Sequence, residues 1–151
     1  MLLYILIALS IGIEGGYVFP AVGFESIRSG AGFAIFADRN TGIADVSLSL
    51  QTAYTTGDNP GYSVTVMGFR FGLYKKNWSI SPVLALGGDY LSRSLNGTSE
   101  SGFAAAYTIG AQINIHHERL HIYPKFYYEG LTDLKVHAGF IGIKLGVGYE
   151  I

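Results

Sequence analysis

The sequence predicts an all-β chain: a closed eight-stranded antiparallel up-and-down transmembrane β-barrel. Three observations lead there. The last eleven residues, from Ile141 to Ile151, carry an apolar or aromatic side chain at every odd position and glycine or a charge at every even one. This is the period-two signature of a strand with one greasy face and one small or polar face. Eight such segments of about ten residues follow one another, which is the length a tilted membrane strand needs. Hydrophobic residues make up 49% of the chain and charged ones 14%, yet no run reaches the roughly 18 apolar residues of a spanning helix.

Composition bounds the rest. A chain of 151 residues is one domain. Its 21 glycines and 11 tyrosines, with only 4 prolines, favour strands with close backbone contacts over helices. A formal charge of −1 offers no basic stripe to neutralise phosphates, so nucleic acid is not an expected partner. The absence of cysteine removes disulfides, thiolate zinc sites and thiol catalysis together.

Residues 1–10 differ from everything after them. Leu2, Leu3, Tyr4, Ile5, Leu6, Ile7, Ala8 and Leu9 form a short apolar run of signal-peptide length, and Ala8-Leu9-Ser10 places small residues where a signal peptidase reads. No Lys or Arg precedes the run, so residues 1–10 are expected to be a signal-peptide remnant and residues 11–151 the barrel.

The strands then follow in order. The first, 11–19, leads through a long connection, 20–29, to the second, 30–39, and Asn40-Thr41-Gly42 makes a tight turn. The third, 43–54, sets Ala44, Val46, Leu48, Leu50, Thr52 and Tyr54 against Asp45, Ser47, Ser49 and Gln51. After the loop at 55–61, rich in Gly, Asn, Asp and Pro, the fourth strand, 62–74, opposes Met67, Phe69, Phe71 and Leu73 to Gly68, Arg70 and Gly72. Lys75-Lys76-Asn77 closes it tightly. The fifth strand, 78–91, is followed by a long polar loop expected at 92–101. The sixth strand, 102–115, turns at 116–119 into the seventh, 120–129, and residues 130–135 lead into the last strand.

Short and long connections thus alternate, as they do in membrane barrels with tight turns on one side and longer loops on the other. Both chain ends fall on the tight-turn side. Phe19, Tyr54, Tyr90, Phe103 and Tyr128 lie near the long-loop ends and Trp78 and Tyr149 near the tight turns, matching two interfacial girdles. A soluble lipid-binding barrel is the rival fold, and it would need a more heavily charged outer face.

Three stretches carry a resemblance: Gly15-Gly16-Tyr17-Val18-Phe19-Pro20 with Ser29-Gly30-Ala31-Gly32-Phe33; the run from Ile80 through Pro82 to Gly87-Gly88-Asp89-Tyr90; and the end, Leu145-Gly146-Val147-Gly148-Tyr149-Glu150-Ile151. In order and spacing, the chain from Ile11 to Ile151 resembles the small outer-membrane β-barrel family of OmpA-like and OmpX-like barrels. The resemblance implies a monomer in the cell outer membrane of a Gram-negative bacterium, with short turns in the periplasm. Its implied partners are outer-membrane lipid, lipopolysaccharide and the barrel-assembly machinery. The family's last residue is usually Phe, an assembly signal. Here it is Ile151, leaving Tyr149, Val147, Leu145 and Ile143 to share that signal.

Chemistry would have to sit on the inward face. Glu14, Asp45, Arg70, Gln112, Tyr123, Lys125 and Lys144 all fall inward in the half nearer the tight turns. An eight-stranded barrel is just wide enough for its side chains to fill, and a charge in a dry lumen must be paired. A network of Arg70, Lys125 and Lys144 with Glu14 and Asp45 is therefore expected, with Asp89 and Glu129 nearer the outer end. His116, His117 and His121 crowd one turn, where a solvated turn is favoured over a metal site. His137 stands outward near the loop side, without a Ser and acid in register for acyl-chain removal. No cofactor and no catalytic residue is predicted. The function expected is structural, adhesive or surface-interacting, carried by the loops at 20–29, 55–61, 92–101 and 130–135. A narrow solute channel, a lipid-modifying outer-membrane enzyme and a soluble lipid-binding barrel are the alternatives.

Overall fold

The computed structural model describes residues 9–24, 26–133 and 137–151. Nine strands in chain order are β1 (Leu9–Val22), β2 (Gly30–Asn40), β3 (Asp45–Thr56), β4 (Tyr62–Tyr74), β5 (Ile80–Leu95), β6 (Thr98–Ile113), β7 (Ile115–His117), β8 (Leu120–Thr132) and β9 (His137–Glu150). Neighbours in sequence pair antiparallel from β1 to β6, β9 pairs with β1, and β8 pairs with both β9 and β6. The ring is thereby closed. The short β7 continues the wall begun by β6, so the barrel has eight staves. No helix occurs among the described residues.

The period-two alternation becomes two surfaces. On β1, Ile11, Ile13, Tyr17 and Phe19 are exposed, while Ser10, Glu14 and Val18 are buried. On β9, Ile141, Ile143, Leu145 and Tyr149 are exposed and Lys144 is buried. Leu48, Leu50, Phe69, Phe71, Leu84, Leu86, Ile109 and Phe126 continue the exposed apolar band. A wall of large apolar side chains around an interior that holds the charges is the inverse of a soluble barrel and the arrangement of a membrane-spanning one.

Several strand ends differ from expectation. β1 begins at Leu9, so Leu9 and Ser10 belong to the barrel, opposite Arg39 and Asp38 of β2; residues 1–8 of the expected signal segment lie outside the described residues. β3 starts at Asp45 because Thr41, Gly42 and Ala44 close the preceding turn, with the Thr41 amide donating to the Ala44 carbonyl at 2.9 Å. The largest departure is at 92–101. No long loop exists there: β5 and β6 pair from Ser92–Ser101 out to Leu95–Thr98. Asn96 and Gly97, at φ 50° and 85°, form the two-residue turn whose twist suits a hairpin.

The two strand prolines are accommodated where a ladder has already stopped. Pro82 pairs with Ala111 of β6, but β4 pairs with β5 only from Leu84 on. Pro124 pairs with Leu145, while the β6–β8 ladder ends at Gln112–Lys125. A residue with no N–H is tolerated at such a gap. The Pro124 gap coincides with the break between β6 and β7, where the Asn114 amide turns away to the Ser79 carbonyl at 2.9 Å.

The interior divides along the barrel axis. The half nearer the loops is apolar, built from Val18, Val64, Val66, Ala106, Leu131 and Phe140. Phe24 turns inward from the β1–β2 loop and stacks on Phe140 with ring centroids 4.4 Å apart. The half nearer the chain ends is polar. Glycines there give room to rings: a Cβ at Gly146 would fall inside the Tyr123 ring and one at Gly142 inside the Tyr127 ring.

Candidate functional site

The polar half of the lumen is organised around two charged centres. Glu14 of β1 accepts from Lys125 Nζ at 2.5 Å and from the Tyr123 hydroxyl at 2.8 Å, both on β8. Lys144 Nζ of β9 stands 3.7 Å from its other oxygen. Lys144 also lies 4.9 Å over the Tyr127 ring, a cation–π geometry. The second centre is the Arg70 guanidinium of β4. It donates to both oxygens of Asp89 on β5, at 2.7 and 2.6 Å, the bidentate fork that makes Arg–carboxylate pairs strong. Its Nη2 is also 2.9 Å from Glu129 Oε1 on β8.

Gln51 of β3 joins the two centres. Its amide nitrogen donates to both Glu129 oxygens, and its carbonyl accepts from Lys144 at 3.5 Å. The connected groups are Lys125, Lys144 and Arg70 against Glu14, Glu129 and Asp89, so the formal charges cancel. The space left beside them for water centres is about 40 Å³, room for a few water molecules.

Of the residues expected to share a network, Glu14, Lys125 and Lys144 come together. Arg70 joins them only through Glu129 and Gln51. Asp45 does not join. Its oxygens accept from the Asn40 amide at 2.8 Å and from the Lys76 backbone N–H at 2.6 Å, so it ties two turns together at the edge of the barrel. The physical reason is axial height: Asp45 is the first residue of β3, below the level of the lumen cations. Asp89 and Glu129, expected nearer the outer end, are the partners Arg70 uses instead.

Below this network the β4–β5 turn, residues 75–79, folds across the barrel mouth. Lys76 reaches to Ser10 Oγ on β1 and to Asp38 Oδ1 on β2, the latter at 3.2 Å. The Lys75 N–H donates to Ser81 Oγ at 2.7 Å. On the opposite side Asn114 Nδ2 donates to the Trp78 carbonyl at 2.6 Å, and His116 Nε2 bonds the Lys76 carbonyl at 2.7 Å. His121 is buried, stacked on His116 at 4.5 Å and bonded through Nε2 to Asn114 Oδ1 at 3.0 Å. The expectation of a solvated histidine turn is therefore corrected for His121, a packing and hydrogen-bonding part of the floor; His116 stays exposed while bonding the floor. No group of three metal-ligating side chains occurs among the described residues.

On the outer wall near the loops, His137 Nε2 meets the Tyr128 hydroxyl at 2.9 Å and the Tyr107 hydroxyl at 3.5 Å. Its neighbours are phenols, with no serine among these contacts. The residues Ile143, Leu145, Tyr149 and Ile151 are exposed on the outward side of the closing strand, and Val147 shares that side half-buried. The Ile151 N–H donates to the Leu9 carbonyl at 3.0 Å.

At the loop end, the β5–β6 hairpin extends beyond its described pairing with β8, while β4 stays paired with β5 out to Tyr62–Leu95. β8 pairs with β6 only from Ala105–Thr132 inward. Among the described residues, no strand pairs with residues 98–104 of β6 on the side away from β5. Arg28 pairs with Asp58 at 2.9 Å, and Arg93 with Glu100 at 3.1 Å.

No protein-family model and no curated protein matches the chain. Solved structures do. Neisserial surface protein A (NspA) is similar with a TM-score of 0.63 at 9% identity, over 95% of this chain and 97% of that one. Ail, the attachment invasion locus protein of Yersinia pestis, is similar with a TM-score of 0.61 at 20% identity, over 95% and 97%. The N-terminal β-barrel domain of Pseudomonas aeruginosa OprF gives 0.51 at 11%, over 93% and 97%. The chain has the fold of the small eight-stranded outer-membrane β-barrels.

Proposed function

We propose that this chain is an integral outer-membrane barrel with a closed lumen, whose role is adhesion or surface interaction through its loop end. The observation that carries the reading is the outer edge of β6, where no described strand pairs with residues 98–104 on the side away from β5. An unpaired edge strand is a template for pairing with another chain, and proteins usually blunt it with lysine, proline or a bulge. Residues 98–104 contain none of these: the segment is Thr-Ser-Glu-Ser-Gly-Phe-Ala, and the carboxylate of Glu100 pairs with Arg93 of β5. An edge with no described partner strand is suited to capturing an extended segment of a partner. With the turns and chain ends in the periplasm and the loops outside, this edge faces the medium.

The lumen supports a closed barrel. Its charges cancel, the remaining space holds a few waters, and the far half is apolar. The cancelled charges favour a closed lumen over a narrow channel, and planar bilayers containing the protein are expected to show no conductance steps. A catalytic role at His137 has no nucleophile among its contacts, and a soluble barrel would not expose the apolar band. Outer-membrane lipid and lipopolysaccharide are the surroundings that band suits. Ile143, Leu145, Val147, Tyr149 and Ile151 would then present the assembly signal to the barrel-assembly machinery. Ile151→Phe is expected to raise the yield of assembled barrel.

One Ail structure contains the heparin analogue sucrose octasulfate. Here the loop-end arginines Arg28 and Arg93 are each spent on a carboxylate, which favours an uncharged backbone contact over a sulfated ligand. The test is adherence of bacteria producing the protein in their outer membrane to cultured epithelial cells. Wild type should adhere above empty-vector cells, and the edge variant Ser101→Lys with Phe103→Lys should not, while both still shift on a gel between unheated and boiled samples. Equal adherence of the two would overturn the edge as the contact, and recovery of the protein in the soluble fraction would sink the membrane reading.

A further inference from the structure

The strand ends at two of the tight turns sort their charges by side. On β2, Asp38 is buried on the inward face, and the next residue, Arg39, is exposed on the outward one, as alternation requires. The two lysines of the β4–β5 turn part in the same way. Lys76 turns in to Ser10 and Asp38, whereas Lys75 reaches along the rim, its Nζ 3.5 Å from the Gly42 carbonyl of the β2–β3 turn. Asp45, the other acid here, is fully buried and bonded to Asn40 and the Lys76 N–H. The inward acids are therefore satisfied from within the barrel. Arg39 and Lys75 have no carboxylate at ion-pair distance among the described residues, and residues 1–8, which precede the partner of Arg39, contain no Asp or Glu.

Resting on the membrane reading proposed above, we infer that Arg39 and Lys75 form a binding site for the phosphate of an anionic phospholipid in the leaflet on the tight-turn side. Height along the wall decides for a lipid over a free phosphate. Arg39 stands level with Val46 and Leu73, one outward row below Ala37, Leu48 and Phe71 of the apolar band. Beyond it, at the tip of the β2–β3 turn, Ile43 is exposed. Cations set between two apolar levels lie in the interfacial layer, where bilayer phosphates are found and where long basic side chains carry their charge. The strands that bear them, β2 and β4, are two strand spacings apart, about 10 Å. Side chains of this length can close that gap onto one phosphate. Two cations on one phosphate leave a positive excess, so a net-negative headgroup of the phosphatidylglycerol kind is favoured over a zwitterionic one.

The single tryptophan reports on this rim. Trp78 is half exposed, and its N–H donates to the Lys75 carbonyl at 3.2 Å. The protein is folded into vesicles of phosphatidylcholine and phosphatidylglycerol in which one lipid or the other carries brominated chains, and quenching of Trp78 gives the ratio of the two beside it. Phosphatidylglycerol should be preferred at least about fivefold, the effect of one Lys or Arg near an anionic surface, and added salt should weaken the preference. Arg39→Gln with Lys75→Gln should bring the ratio to that of the bulk lipid. Arg119→Gln, which removes an exposed cation from the β7–β8 turn, should leave the preference in place, as should inorganic phosphate at constant ionic strength. Each variant is first shown to shift between unheated and boiled samples on a gel. A bulk ratio beside the wild-type protein would overturn the site and leave the membrane reading intact. An equal loss in Arg119→Gln would overturn it in favour of the general charge of the rim, and displacement by phosphate would overturn the lipid as occupant. No quenching by either lipid would overturn the membrane placement of this turn as well.

Discussion

Gln51 on β3 donates its side-chain amide to both carboxylate oxygens of Glu129 on β8, at 3.0 and 2.8 Å. These two staves stand on opposite sides of the ring, so one neutral side chain spans the diameter and links the Glu14 centre to the Arg70 centre. A hydrogen bond to a charged group contributes about 1.5–3 kcal/mol. Gln51→Ala is expected to destabilise the barrel by that amount in reversible urea unfolding from lipid vesicles. No change in the midpoint would show that Glu129 is satisfied by Arg70 alone.

Arg70 carries more. Removing it leaves Asp89 and Glu129 together in the interior without their cation. Breaking a buried pair at one partner costs about 3–5 kcal/mol, whereas replacing both partners by apolar groups is often near neutral. Arg70→Met should therefore be severely destabilising, and adding Asp89→Leu should recover part of the loss. A double-mutant cycle measured by unfolding would show the coupling; additive costs would contradict it.

The outward face sets a depth profile. Leu50 lies mid-strand between Ile35 and Phe69, within the apolar band, while Ile43 sits in the β2–β3 turn at 84% exposure. An arginine facing lipid costs about 2–4 kcal/mol at the bilayer midplane and about 0–1 near the interfaces. Leu50→Arg should fall in the first range and Ile43→Arg in the second. Equal costs would mean that the band is not where the bilayer sits.

The hairpin tip is a local matter. Gly97 at φ 85° occupies a left-handed conformation in which a Cβ is penalised by about 1–2 kcal/mol. Gly97→Ala should speed amide exchange at Leu95 and Thr98 and leave the global unfolding midpoint in place. A shift in that midpoint would mean that the hairpin is part of the cooperative core.

The strand faces were legible in the sequence because period-two alternation is a local property. Tyr62–Tyr74 runs between the residues its pattern indicates, and the outward and inward sets on β4 and β9 are those the alternation assigns. The lumen partners were less legible. Arg70 was placed on the inward face, yet its choice of Asp89 and Glu129 over Asp45 depends on the stagger of strands around the ring, which no single strand encodes. The polar run at 92–101 reads as a loop on composition, although it contains its own correction. Asn96-Gly97 is a strong two-residue hairpin signal, and Ser, Thr, Arg and Glu flank it because strands that rise clear of a membrane need no apolar face. The burial of His121 is not legible for a related reason: it comes from Asn114 and the 75–79 turn, which reach it from other staves.

The turn that crosses the barrel mouth bears on the order in which the chain can assemble. Closing the cylinder requires β1 to meet β9, a pairing between the two ends of the chain. Contacts so distant in sequence carry a high loop-closure entropy and form slowly. The contact from Lys76 to Ser10 spans 66 residues, and with Asp38 it lies within the first 76 residues of the chain. Strands β1 to β4 can thus draw into an arc, held across its chord by one lysine, before the second half is in place. The last strand then arrives at a preformed edge with the curvature already set.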